Sequence, residues 1–185
     1  EPDEPTKVVE VVDQYAARVE SRYSASEQHT SRAAIRVVNR LYGSTDAIAF
    51  GPKRLRAVRA HMVEKGWARA HINKQVSRIR SMVKWAVSRE LVPETVHRRL
   101  CTLEPLRRGE ARDSKKVKPV PRPHVRMVRH HCSRQVRALI DLQLLCCARA
   151  DELVRMRPVD VDTSGPVWIF QLDDHKMDHQ GKEKI

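Results

Sequence analysis

Aromatic residues are scarce: three Trp, three Tyr and two Phe, 4% of 185 residues. That leaves no interleaved platform of rings on which the bases of a single strand could stack. It also requires a core built mostly from Leu, Val, Ile, Ala and Met. Cysteines number four (Cys101, Cys132, Cys146, Cys147), and none stands in a CxxC pair. Cys146 and Cys147 are neighbours and cannot easily bridge each other, so the thiols are read as reduced and buried, in a cytosolic compartment. His130-His131-Cys132 is not followed by a second ligand cluster at finger spacing, and no metal is expected. There is no Gly-rich phosphate loop. No stretch approaches the ~18 uninterrupted apolar residues of a membrane span. The opening Glu1-Pro2-Asp3-Glu4-Pro5 is acidic and Pro-rich, unlike a signal or transit peptide.

Acid is the other shortage. Asp plus Glu total 23 against 36 Lys plus Arg, a formal charge of +13. A surface that basic repels itself unless it meets a polyanion. Nucleic acid is the first candidate and an anionic membrane surface the second.

The first two-thirds of the chain read as helices. Residues 7–22 place Val8, Val11, Val12, Tyr15, Ala16 and Val19 at helical spacing. Residues 26–42 follow with Ala33, Ala34, Val37, Val38 and Leu41, and Gly43 is expected to stop that helix. Pro52 opens a third helix that runs to Gly66, with proline at the start and glycine past the end. The fourth, 69–90, is the clearest: Ile72, Val76, Ile79, Val83, Ala86 and Val87 make one apolar stripe. Beside it run Asn73, Ser77, Arg80 and Lys84. Pro93 opens a fifth helix that is expected to end near Leu106. Residues 1–110 thus predict a compact helical bundle. Residues 111–123 are polar and then rich in proline, an exposed linker. A second unit covers 124–185. In it, 133–147 predict a buried helix, 150–156 a short one, Thr163-Ser164-Gly165-Pro166 a turn, and 167–172 a strand.

The basic excess is local. Between Lys53 and Arg89 stand eleven cations and one acid, Glu64. Like charges four residues apart, such as Lys74/Arg78 and Arg80/Lys84, destabilise an isolated helix. A phosphate backbone would relieve them and release counterions. Duplex DNA held by helices and backbone contacts fits better than splayed RNA. The candidate contacts are Lys53, Arg56, Asn73, Ser77, Arg80 and Lys84.

The segment Leu144-Leu145-Cys146-Cys147-Ala148-Arg149-Ala150-Asp151-Glu152-Leu153, followed by Arg157-Pro158-Val159-Asp160-Val161-Asp162, resembles the first catalytic box of the tyrosine recombinases, the phage-integrase family. Trp168-Ile169-Phe170 and His175-Lys176-Met177-Asp178-His179-Gln180-Gly181-Lys182 resemble the β-hairpin that carries that family's catalytic lysine. Upstream, Leu41-Tyr42-Gly43, Phe50-Gly51-Pro52, Gly66-Trp67, Ile72-Asn73 and Trp85-Ala86-Val87 are similar to its core-binding domain. The run looks closest to integrases of planctomycete type.

The resemblance implies a mainly α protein: a SAM-like helical core-binding domain linked to a truncated α+β catalytic domain with a β-hairpin. It implies DNA recombination and integration through a covalent phosphotyrosyl intermediate. The partners would be duplex DNA and further copies of the chain on that DNA, with no metal or cofactor, in a bacterial cytoplasm at the nucleoid. Arg149 would bond two phosphoryl oxygens of a doubly negative transition state with its planar fork. Lys176 would enter the minor groove and protonate the leaving 5′ oxygen, with His175 beside it on DNA. Glu152 would be structural.

The chain departs from the family pattern in places. Cys146-Cys147 stand where Thr-Gly is usual, Met177 follows the lysine in place of Thr, and Lys184 replaces a later Arg. The His-x-x-Arg box, the second His or Trp and the nucleophilic Tyr would fall past Ile185. This 185-residue chain is therefore expected not to cleave DNA alone. These departures keep two other classes open: a non-catalytic DNA-binding regulator or decayed integrase remnant, and a helical protein-interaction module with a basic face.

Overall fold

The computed structural model describes residues 5–115 and 117–170. It is mainly helical with one small antiparallel sheet. The chain divides into two units, Glu1–Lys116 and Val117–Ile185.

The first unit holds five helices: α1 (Val8–Arg22), α2 (Ala25–Tyr42), α3 (Pro52–Glu64), α4 (Arg69–Ser88) and α5 (Glu94–Cys101). They follow the apolar periodicity within one or two residues at most ends. Helix α4 is the axis of the bundle and packs on each of the other four. Its predicted stripe is the one buried: Ile72, Val76, Ile79, Val83 and Ala86 are all 5% exposed or less. They meet Val11, Val12 and Val19 of α1, Ala34 and Val38 of α2, Leu55, Val58 and Met62 of α3, and Val96 and Leu100 of α5 in one core. Each large aliphatic side chain so buried contributes about 1.5–3 kcal/mol. Among the described residues no helix is long and apolar enough to cross a membrane.

Helix ends follow local chemistry. Gly43 ends α2 with right-handed φ −53°. Glycine is needed there for space, because a Cβ would lie 2.4 Å from Asn39 Oδ1 and 2.6 Å from its carbonyl oxygen. Pro52 sits at the first turn of α3. Gly66, past its end, takes φ +71°, the left-handed conformation that glycine adopts without a steric cost.

The fifth helix ends at Cys101, not near Leu106. Residues 102–106 turn back over α4 and bury Leu103 and Leu106. Side chains of α4 take up the carbonyls that a longer helix would have used. The first unit also reaches past residue 110. Arg69 N–H donates to the Arg112 carbonyl at 2.8 Å, and Arg69 Nε pairs with Asp113 Oδ1 at 2.6 Å. The opening of the expected linker is thereby fastened to the start of α4.

The second unit contains α6 (Arg122–Arg129), α7 (Arg134–Cys146), α8 (Ala150–Arg155) and the strands β1 (Val161–Asp162) and β2 (Ile169–Phe170). Ser133 caps α7 by accepting the Val136 N–H at 3.3 Å. The strands pair antiparallel, Val161 with Phe170 and Asp162 with Ile169. Their connection contains the predicted turn, begun by Ser164 N–H on Asp162 Oδ1 at 2.9 Å.

Two expectations fail here. Helix α7 is not buried: none of its residues is, and Leu144 and Leu145 are 51% and 82% exposed. Among the described elements its main neighbour is α8, only six residues long, too short to cover a helix of thirteen. The thiols are free but not buried. Cys101, Cys146 and Cys147 are exposed and Cys132 is half-buried: Cys101 and Cys146 end α5 and α7, and Cys132 and Cys147 lie in the turns on either side of α7.

Candidate nucleic-acid interface

Eleven cations on one stretch of chain suggest a continuous charged face. The structure sorts them into two groups. Five arginines are held by the protein itself. Arg78 makes a fork on Glu27, with Nε to Oε1 at 3.0 Å and Nη2 to Oε2 at 3.2 Å. Arg80 donates Nε to the Leu100 carbonyl at 3.1 Å and Nη2 to that of Leu103. Arg59 Nη1 donates to the Glu104 carbonyl at 2.7 Å. Arg54 donates to the Ala49 carbonyl and stands 6.0 Å from the Tyr42 ring centre. Arg69 holds Asp113, as described. The planar guanidinium suits these multi-point tasks, and lysine does not.

The other six, Lys53, Arg56, Lys65, Lys74, Lys84 and Arg89, are exposed. None has a hydrogen-bond or ion-pair partner among the described residues. The like-charge pairs that spoke for an outside polyanion are thus partly settled inside the fold: Arg78 has Glu27, and Arg80 has the carbonyls at the end of α5. Those carbonyls carry the negative end of the helix dipole, a favourable place for a cation.

The stripe Asn73, Ser77, Arg80, Lys84 divides in the same way. Asn73 Nδ2 donates to the Leu106 carbonyl at 3.1 Å while its Oδ1 accepts the Leu106 N–H at 2.9 Å. Asn73 and Arg80 therefore pin the returning loop, and Ser77 and Lys84 are exposed. The outward face of α4 lies about 60° further round the helix, along Lys74, Ser77, Ser81, Lys84 and Ser88, all exposed. The 3.6-residue period marks this second face as well, but composition does not tell it from its neighbour. Lys53 and Arg56 are exposed on α3.

In the second unit, Arg149 is the N-cap residue of α8. Its backbone N–H donates to Glu152 Oε2 and its Nη1 to Glu152 Oε1, both at 2.9 Å. The Glu152 side chain is 4% exposed and that of Arg149 58%. A buried carboxylate is stable only when hydrogen-bonded and paired, and here it orients an arginine whose outer donors face solvent. The preceding turn takes its shape from Cys147, a non-glycine residue at φ +53° whose N–H closes α7 on the Gln143 carbonyl at 3.1 Å. Lys176 and His175 lie outside the described residues.

Among the described residues no group of three or more His, Cys, Asp or Glu gathers to hold a metal ion. Searches of family models, curated proteins and solved structures find no match to the chain.

Proposed function

We propose that the helical unit grips duplex DNA through phosphate contacts. The observation that carries this reading is the set of six exposed cations on α3, α4 and their flanks with no internal partner, against the single acid Glu64. Lysines in that state are strongly hydrated point charges that exchange counterions for phosphates without reorganising the fold. On α4, Lys74 and Lys84 are interleaved with Ser77, Ser81 and Ser88, short side chains that let a backbone approach; the Ser81 and Ser88 hydroxyls donate to the Ser77 and Trp85 carbonyls of their own helix. Asn73 and Arg80 are supports of this face and not contacts.

We further propose, from the likeness to tyrosine recombinases, that Arg149 is the first phosphate-binding arginine of a strand-transfer site, with Lys176 as general acid. Its support is the hold of Glu152 on Arg149, one oxygen on the backbone N–H and the other on Nη1, which orients a half-exposed guanidinium at a helix start.

Fluorescence anisotropy of a labelled 20-bp duplex across a salt series tests the first reading. A linear fall of log affinity with log salt, of slope equivalent to several phosphates, is expected. A flat response would remove DNA as the partner. Arg149→Ala in the same titration tests the second: a salt slope lower by about one phosphate equivalent is expected, and an unchanged slope would count against Arg149 as a phosphate ligand.

A further inference from the structure

A polar cleft of about 350 Å³ opens between α3 and the loop that follows α5. Its size sits near the lower end of small-ligand sites, ~300–1,000 Å³, but its walls are charged, where ligand pockets are mostly apolar. Arg56, Arg59 and Arg107 line it, together with Glu104 and Glu110. We propose that this cleft is a binding site for one phosphodiester group. The proposal rests on the reading that the basic face meets a polyanion, and it names where one phosphate would sit.

Arg56 and Arg59 are three residues apart on α3, so their side chains rise from one side of the helix. Arg56 has no hydrogen-bond or ion-pair partner among the described residues. Arg59 is half-buried and spends one N–H on the Glu104 carbonyl, which leaves its other donors over. Both carboxylates are already occupied by Arg107. Glu104 Oε2 pairs with Arg107 Nη2 at 3.0 Å, and Glu110 accepts the Arg107 backbone N–H. The glutamates thus neutralise Arg107 and part of the field at Arg59, leaving one net positive charge on the lining. That matches the single negative charge of a phosphodiester better than the near-double charge of a phosphomonoester.

Burial lowers the Arg59 pKa, Glu110 opposes that change, and Arg56 and Arg80 add to it. Arg59 remains charged at any ordinary pH.

The test uses the full chain and two variants, Arg56→Gln and Glu110→Gln. Glutamine at 110 keeps an acceptor for the Arg107 N–H and removes the charge. Circular dichroism first checks that both fold. The probes are a 20-bp duplex and, separately, inorganic phosphate. If the cleft holds a DNA phosphate, Arg56→Gln lowers the salt slope by about 0.9, the loss of one phosphate contact. Glu110→Gln tightens duplex binding roughly two- to fivefold, the range of one exposed charge contact. If wild-type binding shows a steep salt slope but neither variant changes it, the cleft is overturned and the DNA reading stands. If the duplex does not bind while inorganic phosphate does, more weakly in Arg56→Gln and more tightly in Glu110→Gln, the cleft stands with a free phosphate as its ligand and the DNA reading falls. Phosphate binding indifferent to both variants, or no binding of either probe, overturns the proposal.

Discussion

The side-chain amide of Asn73 grips the backbone of Leu106 from both sides, donating to its carbonyl at 3.1 Å and accepting from its N–H at 2.9 Å. One residue thereby replaces the two hydrogen bonds that a continued helix or a strand partner would have given that peptide. Through it α4 determines the path of the whole segment from Leu103 to Asp113.

Asn73→Ala strands the N–H of Leu106, which is itself 7% exposed, and leaves its carbonyl with only the long bond from Arg69 Nη1 at 3.4 Å. An unsatisfied buried polar group costs about 1–3 kcal/mol. The variant should be destabilised by about 1–3 kcal/mol in urea unfolding. Asn73→Asp keeps an acceptor but sets a carboxylate against the Leu106 carbonyl, and it should fall in the same range at neutral pH. Wild-type stability in either variant would mean that the loop is held elsewhere.

Arg80 and Lys84 stand one turn apart on α4 and should part company in every assay. Arg80→Ala leaves the Leu100 and Leu103 carbonyls without their cation and should lower stability by about 1.5–3 kcal/mol, the range for hydrogen bonds to a charged group. Lys84→Ala should leave the unfolding midpoint within about 0.5 kcal/mol and reduce the DNA salt slope by about one phosphate equivalent. The reverse pattern would place Arg80 on the DNA and Lys84 in the fold.

Cys147 occupies a left-handed position at the end of α7 with φ +53°. A side chain there costs roughly 1–2 kcal/mol against glycine, part of which glycine returns through the greater freedom of the unfolded chain. Cys147→Gly should stabilise the second unit by about 0.5–1 kcal/mol, read as a shift in its denaturant midpoint. Cys146→Gly, inside the helix, should destabilise by a similar amount.

The Asp113 carboxyl is held below the usual carboxylate range, first by the hydrogen bond from Arg69 and then by the charge of Arg69 and Arg108. A pKa lower in the folded than in the unfolded state contributes stability above the unfolded value near 3.8, and that stability is lost as the pH falls through the folded value. Asp113→Asn should therefore lower stability at neutral pH and flatten the acid limb of the pH–stability curve of the first unit below about pH 4. An unchanged acid limb would mean that the Arg69–Asp113 pair does not persist in solution.

Much of the fold is legible because α4 carries an uninterrupted apolar period, and a helix so marked has one choice of buried face. The returning loop was not legible. Its anchors Asn73, Arg80 and Arg69 find partners twenty to forty-four residues away, and nothing local distinguishes an arginine that will cap a helix from one that will face solvent. The same blindness set Asn73 and Arg80 in one stripe with Ser77 and Lys84, although the fold commits the first two to the returning loop. In the second unit, Val136, Leu142, Leu144 and Leu145 carry a core-like pattern, yet within the described residues little packs on them. Arg149 was singled out through the order of neighbouring residues. Its dependence on Glu152 follows from the three-residue spacing of a helix start.

In the basic stretch the arginines bound to the fold and the lysines left over differ in their chemistry toward outside reagents. Acetylation consumes amines and leaves guanidinium groups intact. A lysine acetyltransferase, or a mild amine-acylating reagent, would strip charge from Lys53, Lys65, Lys74 and Lys84 while Arg54, Arg59, Arg69, Arg78 and Arg80 kept the bundle standing. The hold on a polyanion proposed above would thus be dialled down in graded steps at nearly constant stability.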